Sequence, residues 1–200
     1  MTTIRKRTIY MAELALLTAI ILVMAFTPLG YLKTAGLEIT FLTVPVVIGA
    51  ILTGPAGGAF LGGVFGLTSF FQAASGLSAF GATLFNLSPI STFLLCLVPR
   101  ILVGLIAGWV FKGLQRVQKS GVLGSIVASL AGPISNTVMF MTLLVLLFRG
   151  FILELQQGTP LFPFLVAFVG LNGLVEAIAC TVLGAAISIP LRTIISRRLG

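Results

Sequence analysis

The amino-acid sequence predicts an all-α integral membrane protein, in which six transmembrane helices form one membrane domain over residues 1–200 with both termini in the cytoplasm. Three observations predict this architecture: the composition, the run of apolar segments, and the basic residues gathered at the segment ends. Hydrophobic residues make up 58% of the chain and charged residues 8%, and the mean hydropathy is +1.20. Since ordinary soluble domains contain about 25% charged residues, the composition excludes that class.

The apolar segments differ in length, and therefore in how clearly each predicts a membrane span. A spanning helix needs about 20 residues. The first, fourth, fifth and sixth segments meet this requirement, whereas the second, which contains Pro45, and the glycine-rich third are short. The short pair would be either two spans or re-entrant, and the Thr-Gly-Pro connection at 53–55 is typical of a tight turn, which favours two spans. The predicted segments cover residues 9–27, 39–52, 56–71, 91–111, 122–148 and 161–191.

Basic residues predict the orientation of the segments. Nine of them fall on one side of the membrane when the segments are threaded in order, and only Lys33 and Arg149 fall on the other. Because cytoplasmic loops are rich in Lys and Arg, we expect both termini in the cytoplasm and interpret the net charge of +8 as topology, not nucleic-acid binding. The number of membrane crossings is even both for six spans and for four spans with two re-entrant segments, so the charge distribution does not distinguish these two arrangements. The nine residues are Arg5, Lys6, Arg7, Lys112, Arg116, Lys119, Arg192, Arg197 and Arg198.

Arg100 lies in the middle of the fourth apolar segment. A charged guanidinium near the bilayer centre costs at least roughly 2.5–3.5 kcal/mol, so the residue is expected to face protein, water or an anion. Asn136 and Glu176 lie near the middle of the fifth and sixth segments, and Asn172 shares a helix face with Glu176 four residues later. These residues predict a polar solute site at one depth. The alternative is an Arg100–Glu176 ion pair that only holds the helices together.

Small residues recur at helical spacing in three segments. Gly54, Gly58, Gly62 and Gly66 form a stripe whose expected role is close packing within this chain. The pair Gly104 and Gly108 continues the face of Arg100 and is expected to leave room beside its side chain. In the first segment, Ala15 and Ala19 present a flat face that predicts either internal packing or docking of another membrane subunit.

The chain lacks the residues that several classes of function require. The chain contains no His and no Asp, so it offers neither a hydrolytic triad nor a carboxylate pair. It also lacks the G-x-x-x-x-G-K-[ST] motif of ATPases. Cys96 and Cys180 lie within apolar segments and are interpreted as buried thiols, not as a disulfide or metal ligands. We therefore expect a non-enzymatic membrane protein without a metal or cofactor of its own, powered by partners.

Three stretches of sequence resemble the S components of energy-coupling factor (ECF) vitamin transporters, which are substrate-binding membrane subunits. They are AELALLTA near the N-terminus, the block at 26–70 with its Gly-Pro turn and glycine-rich helix, and PISTFLLCLVPRILVG at 89–104. The resemblance implies a prokaryotic plasma-membrane protein that works with a coupling subunit and two ATPases, which carry ATP and Mg. It also implies that Ala15 and Ala19 face the coupling subunit and that the loop 28–38 gates the solute.

Within this family, the strings FTPLGYL, ITFLTVPVVIGA and VPRILVG are most similar to the pantothenate-specific type. That resemblance implies a small anionic vitamin bound from outside, with Arg100 suited to its carboxylate. The expected substrate-binding residues are Arg100, Asn136, Asn172, Glu176, Asn86 and Gln72, and the expected gating residues are Tyr31 and Lys33. Alternatives are another water-soluble vitamin or precursor, a stand-alone channel or facilitator, and an assembly protein in which the small-residue stripes serve only packing.

Overall fold

Long apolar helices account for most of the fold. The computed structural model describes residues 3–33, 38–117, 121–156 and 158–199. Within this part of the chain, five helices are long and apolar enough to cross a membrane, or up to six if the bent pair 149–156 and 161–170 is one span. The helices are α1 (Thr3–Ala25), α2 (Thr43–Ala74), α3 (Ala79–Leu87), α4 (Pro89–Val117), α5 (Val122–Leu147), α6 (Arg149–Gln156) and α7 (Leu161–Leu199), and the strands are β1 (Tyr31–Lys33) and β2 (Glu38–Thr40).

Helix α2 is broken at Gly54, within the connection where the sequence predicts a turn. Gly54 adopts φ 84° and ψ −176°, a backbone conformation that is open essentially only to glycine, and the next residue, Pro55, cannot donate a helical hydrogen bond. The side chain of Leu61 lies against Gly49, although a straight helix would separate these residues by about 18 Å. The chain therefore reverses direction, and residues 43–53 pack beside residues 55–74.

A short antiparallel strand pair joins α1 to α2. Tyr31 pairs with Thr40 and Lys33 with Glu38, and the amide of Phe41 donates to the carbonyl of Gly30 at 2.9 Å. This differs from the predicted helix at 39–52, which begins at Thr43 instead. The reason is local, because the β-branched residues at 39 and 40 favour an extended backbone that the preceding strand satisfies.

Two short helices, α3 and α6, occupy the connections at 72–90 and 149–160 between the predicted segments. The hydroxyl of Ser78 caps α3 by accepting a hydrogen bond from the Gly81 amide at 3.3 Å. Each helix buries one apolar residue, Leu84 in α3 and Ile152 in α6, in a shared hydrophobic cluster. Single anchors of this kind produce no apolar run, so hydropathy alone did not reveal them. The first and last predicted segments are shorter than the helices that contain them, since α1 begins at Thr3 and α7 continues to Leu199.

The glycine stripe of α2 packs against the backbone of α4, which confirms its expected role in internal packing. At three levels, a β-carbon added to the α2 glycine would collide with an α4 carbonyl oxygen. Only glycine allows two helix backbones to approach this closely. The contacting pairs are Gly58 with Gly104, Gly62 with Arg100 and Gly66 with Cys96.

The same contacts correct one expectation about Arg100. Gly104 and Gly108 do not leave free room beside its side chain, because the backbone of α2 covers both. Gly104 abuts Gly58, and Gly108 abuts Pro55. The small faces of α2 and α4 are directed at each other, so they set the distance between the helices and open no space.

Candidate functional site

The guanidinium of Arg100 is held in the middle of α4 by a carbonyl and two aromatic rings. Its Nη1 donates a hydrogen bond to the backbone oxygen of Leu95 at 2.9 Å. Its central carbon lies 5.3 Å from the ring centre of Phe65 on α2 and 5.0 Å from that of Phe140 on α5. Cation–π contacts of this length stabilise a positive charge. The buried Nε has no hydrogen-bond partner, so the cation retains an unsatisfied donor.

The carboxylate of Glu176 is buried between α2, α5 and α7. Only 8% of the residue is exposed. Its Oε1 accepts a hydrogen bond from the hydroxyl of Thr43 at 2.5 Å and another from the amide nitrogen of Asn136 at 3.5 Å. Within the described ranges, no ion pair joins Glu176 to Arg100. The carboxylate is instead held by neutral donors.

Two cavities meet at Arg100. The Gln72 cavity, of about 100 Å³, and the Glu176 cavity, of about 90 Å³, share Thr40, Arg100 and Phe140 in their walls. The side chains of Arg100 and Phe140 therefore stand between two halves of one larger space. The other polar residues of the Gln72 cavity are Tyr31, Ser69, Gln72, Ser78 and Thr92, and those of the Glu176 cavity are Asn136, Thr137, Asn172 and Glu176.

A third cavity connects this space to the strand pair. The Pro28 cavity, of about 430 Å³, is lined by the loop after α1 and shares Tyr31 and Gln72 with the Gln72 cavity. The hydroxyl of Tyr31 lies 3.4 Å from that of Ser69, and the Gln72 amide donates to the carbonyl of Ala25 at 2.5 Å. These two hydrogen bonds tie the end of α1 and the start of β1 to α2 at the boundary between the cavities.

The structure brings together most of the residues that the sequence singled out. Arg100, Asn136, Asn172 and Glu176 all line the Glu176 cavity, which is the constellation expected at one depth. Asn86 is not part of it, because that residue is exposed on α3 and lines none of these cavities.

The expected gating and docking residues have different surroundings. Tyr31 lines the boundary described above, while Lys33 ends β1 and its side chain lies outside the described residues. On α1, Ala15 and Ala19 are exposed, and Ile21 is fully buried against the core. The alanine face is therefore not used for packing within the described chain.

Three residues that contact Arg100 or Glu176 directly were missed by sequence reasoning. Phe65 and Phe140 were counted among many apolar residues, although Phe140 follows Asn136 by four positions and so shares its helix face. Thr43 was a polar residue within a predicted apolar segment, and that was the available signal. It is fully buried and bonds to Glu176.

This arrangement is suited to binding, since one cation, one acid, three amides and several hydroxyls surround a divided space. Charged groups form the stronger hydrogen bonds to an ionic solute, so Arg100 would supply the main attraction for an anion. The amides and hydroxyls would select its neutral polar groups.

Comparisons with known proteins agree with a transport role. A model of the family described as "ECF transporter, substrate-specific component" matches residues 10–188. The pantothenate transporter PanT of Leuconostoc mesenteroides is 33% identical over 196 residues, covering 91% of this chain and 91% of the relative. The pantothenic acid transporter PanT of Lactococcus lactis is 33% identical over 159 residues, covering 74% of each chain.

Proposed function

Because the chain belongs to the family of ECF transporter substrate-specific components, we propose that it is the membrane subunit that binds pantothenate from outside for ATP-driven uptake. The observation that carries the choice of an anion is Arg100, whose guanidinium lies in the wall shared by two cavities without an acidic partner among the described residues. Two relatives named as pantothenate transporters, each 33% identical, support the choice of vitamin.

The chemistry of pantothenate suits the polar groups at the site. The molecule has one carboxylate, one amide and two hydroxyls. Arg100 would bind the carboxylate through charge-assisted hydrogen bonds, and Asn136 and Asn172 would bind the amide and hydroxyls. Ligand pockets usually measure roughly 300–1,000 Å³, and each of the two cavities is smaller. Binding would therefore require Arg100 and Phe140 to move so that the cavities merge.

The proposed function also carries a topology. We place the chain in a prokaryotic plasma membrane with six spans and with both termini in the cytoplasm, in which residues 43–53 and 55–74 form two of the spans. In this arrangement the Pro28 cavity opens outward, and the loop bearing Tyr31 and Lys33 gates it.

The proposed assembly assigns the energy source to other subunits. A transmembrane coupling subunit would dock on the exposed Ala15 and Ala19, and two partner ATPases would bind ATP and Mg. This chain would bind the solute and catalyse no reaction.

Calorimetric titration of the detergent-purified chain with pantothenate and a panel of water-soluble vitamins tests the proposal. We expect pantothenate to give saturable heat with one site, and neutral or cationic vitamins to give none. Clear binding of a neutral or cationic vitamin with no heat from pantothenate would refute the proposed substrate. A chain that is folded, judged by its unfolding transition, and that binds no member of the panel would refute the solute-binding role itself.

A further inference from the structure

We propose that the solute binds in one direction, with its carboxylate in the Gln72 cavity and its hydroxyl-bearing end in the Glu176 cavity, where Glu176 rejects a second negative charge. This inference rests on the proposed function. It adds the direction of the solute and a residue that determines specificity.

The first argument is the placement of charge. Among the described residues lining the two cavities, Glu176 is the acidic residue and Arg100 is the positively charged residue. Arg100 lies in the wall that the cavities share. An ionised Glu176 at contact distance would strongly repel the solute carboxylate in a site of low dielectric constant. The solute carboxylate therefore has the lower energy in the cavity without Glu176, where it still reaches Arg100.

The second argument is the supply of hydrogen-bond acceptors in the Glu176 cavity. The Oδ1 of Asn136 is buried without a partner. The hydrogen bonds of Glu176 to Thr43 and Asn136 both use Oε1, which leaves its second oxygen for a ligand. A hydroxyl donates to such acceptors, whereas a carboxylate has no proton to donate. The cavity therefore matches the hydroxyl end of the solute.

The third argument is the supply of donors in the Gln72 cavity. Hydroxyls of Tyr31 and Ser69 line this cavity together with the guanidinium, and its described lining contains no acid. The hydroxyl of Thr92 also lines it but donates to the backbone carbonyl of Ser88 at 2.9 Å. A hydroxyl can donate to a carboxylate, and hydrogen bonds to a charged acceptor are the stronger kind. The two cavities thus differ in the end of the solute that each one satisfies.

Comparing pantothenate with two analogues separates the contributions of the two ends of the solute. Pantothenol replaces the carboxylate by an alcohol, and N-(3,3-dimethylbutanoyl)-β-alanine keeps the carboxylate but lacks both hydroxyls. The affinity for pantothenate divided by that for pantothenol is the carboxylate ratio. The affinity for pantothenate divided by that for the deoxy compound is the hydroxyl ratio. Both ratios are measured by titration of the intact chain.

Two isosteric substitutions, one in each cavity, then give opposite results. Tyr31→Phe should lower the carboxylate ratio about tenfold and leave the hydroxyl ratio unchanged, because it removes a donor from the Gln72 cavity. Glu176→Gln should lower the hydroxyl ratio about tenfold and raise the carboxylate ratio by no more than about threefold. The unaltered chain should bind 4′-phosphopantothenate at least about tenfold more weakly than pantothenate, and Glu176→Gln should narrow that gap.

The proposed orientation would be refuted if the two substitutions had the opposite effects on the carboxylate and hydroxyl ratios. If the carboxylate lay beside Glu176, Glu176→Gln would raise the carboxylate ratio more than about tenfold, and Tyr31→Phe would change the hydroxyl ratio or neither ratio. Should Glu176→Gln fail to fold, Thr137→Val replaces it in the same cavity with the same expected loss of the hydroxyl ratio. Absence of pantothenate binding to the unaltered chain would refute the proposed function, whereas binding with exchanged ratios would refute only the orientation.

Discussion

The hydroxyl of Thr43, in the first turn of α2, donates a 2.5 Å hydrogen bond to the carboxylate of Glu176 on α7. Thr43 is fully buried and Glu176 is 8% exposed. Strand β2 ends at Thr40, three residues before Thr43, and Thr40 lines both cavities. One short segment therefore connects the strand pair, the cavity walls and the buried acid. The position of Glu176 depends on how α2 begins.

We expect Thr43→Val to destabilise the chain by about 1–3 kcal/mol, because it removes the nearer of the two donors to a buried carboxylate and leaves only the 3.5 Å contact from Asn136. The shape of the side chain is nearly unchanged, so loss of the hydroxyl is the main effect. The measurement is the free energy of unfolding in detergent. Thr43→Ser, which keeps the hydroxyl, is the matched control and should lose less. Equal losses in the two variants would show that the hydrogen bond contributes nothing.

Gly62 positions Arg100 by contact between backbones. A β-carbon at Gly62 would overlap with the carbonyl oxygen of Arg100, whereas one at the neighbouring Gly63 would meet only the side chain of Ile101, at 3.9 Å. Gly62→Ala should therefore cost about 1–3 kcal/mol of stability and weaken pantothenate binding, because α4 must shift. Gly63→Ala should change neither quantity, and similar effects of both variants would refute the assigned contact.

Gly54→Ala should destabilise the chain by about 1–3 kcal/mol, because φ 84° with ψ −176° is a conformation that alanine rarely adopts. Nothing lies within 4 Å of a β-carbon at this position, so the effect is purely conformational. Gly113→Ala on α4, where space is also open, should be neutral or stabilising. Thermal unfolding of the pair makes the comparison, and an unaffected Gly54→Ala variant would contradict the turn.

Ala15→Trp should abolish co-purification with the coupling subunit and leave pantothenate affinity unchanged, provided that the exposed alanine face is the docking surface. A bulky ring on α1 would hold the docked helix of the coupling subunit away, because the close approach of membrane helices depends on small residues. Ile178→Trp on α7, where the side chain is 57% exposed, is the control and should still co-purify. If the Ala15 variant co-purified as well as the control, docking would have to lie elsewhere.

Much of the fold could be predicted because apolar runs and glycine spacing are local properties of the sequence. The turn at Gly54 and the internal packing of the glycine stripe were both expected, and both occur. Strand β2 and helix α3 were not expected. Their stability comes from pairing with a neighbouring strand and from one buried anchor, Leu84. Such contacts leave no periodic signal in the sequence.

For the candidate site, too, some residues could be placed from the sequence and others could not. Arg100, Asn136 and Glu176 could be placed at one depth, because each lies near the middle of its apolar segment and helical rise converts position into depth. Asn86 was expected beside them from the resemblance to the pantothenate-specific type, and the structure leaves it exposed on α3.

By itself, the sequence determined that a guanidinium lies within the apolar region and must be stabilised there, since its charge does not depend on the fold. Only the tertiary structure decided that Phe65, Phe140 and the Leu95 carbonyl contact Arg100, and that Glu176 pairs with Thr43. The physical reason is rotation about the helix axes. Residue spacing sets which side chains share a face of one helix, but glycine-to-carbonyl contacts such as Gly62 with Arg100 set which face meets a neighbour.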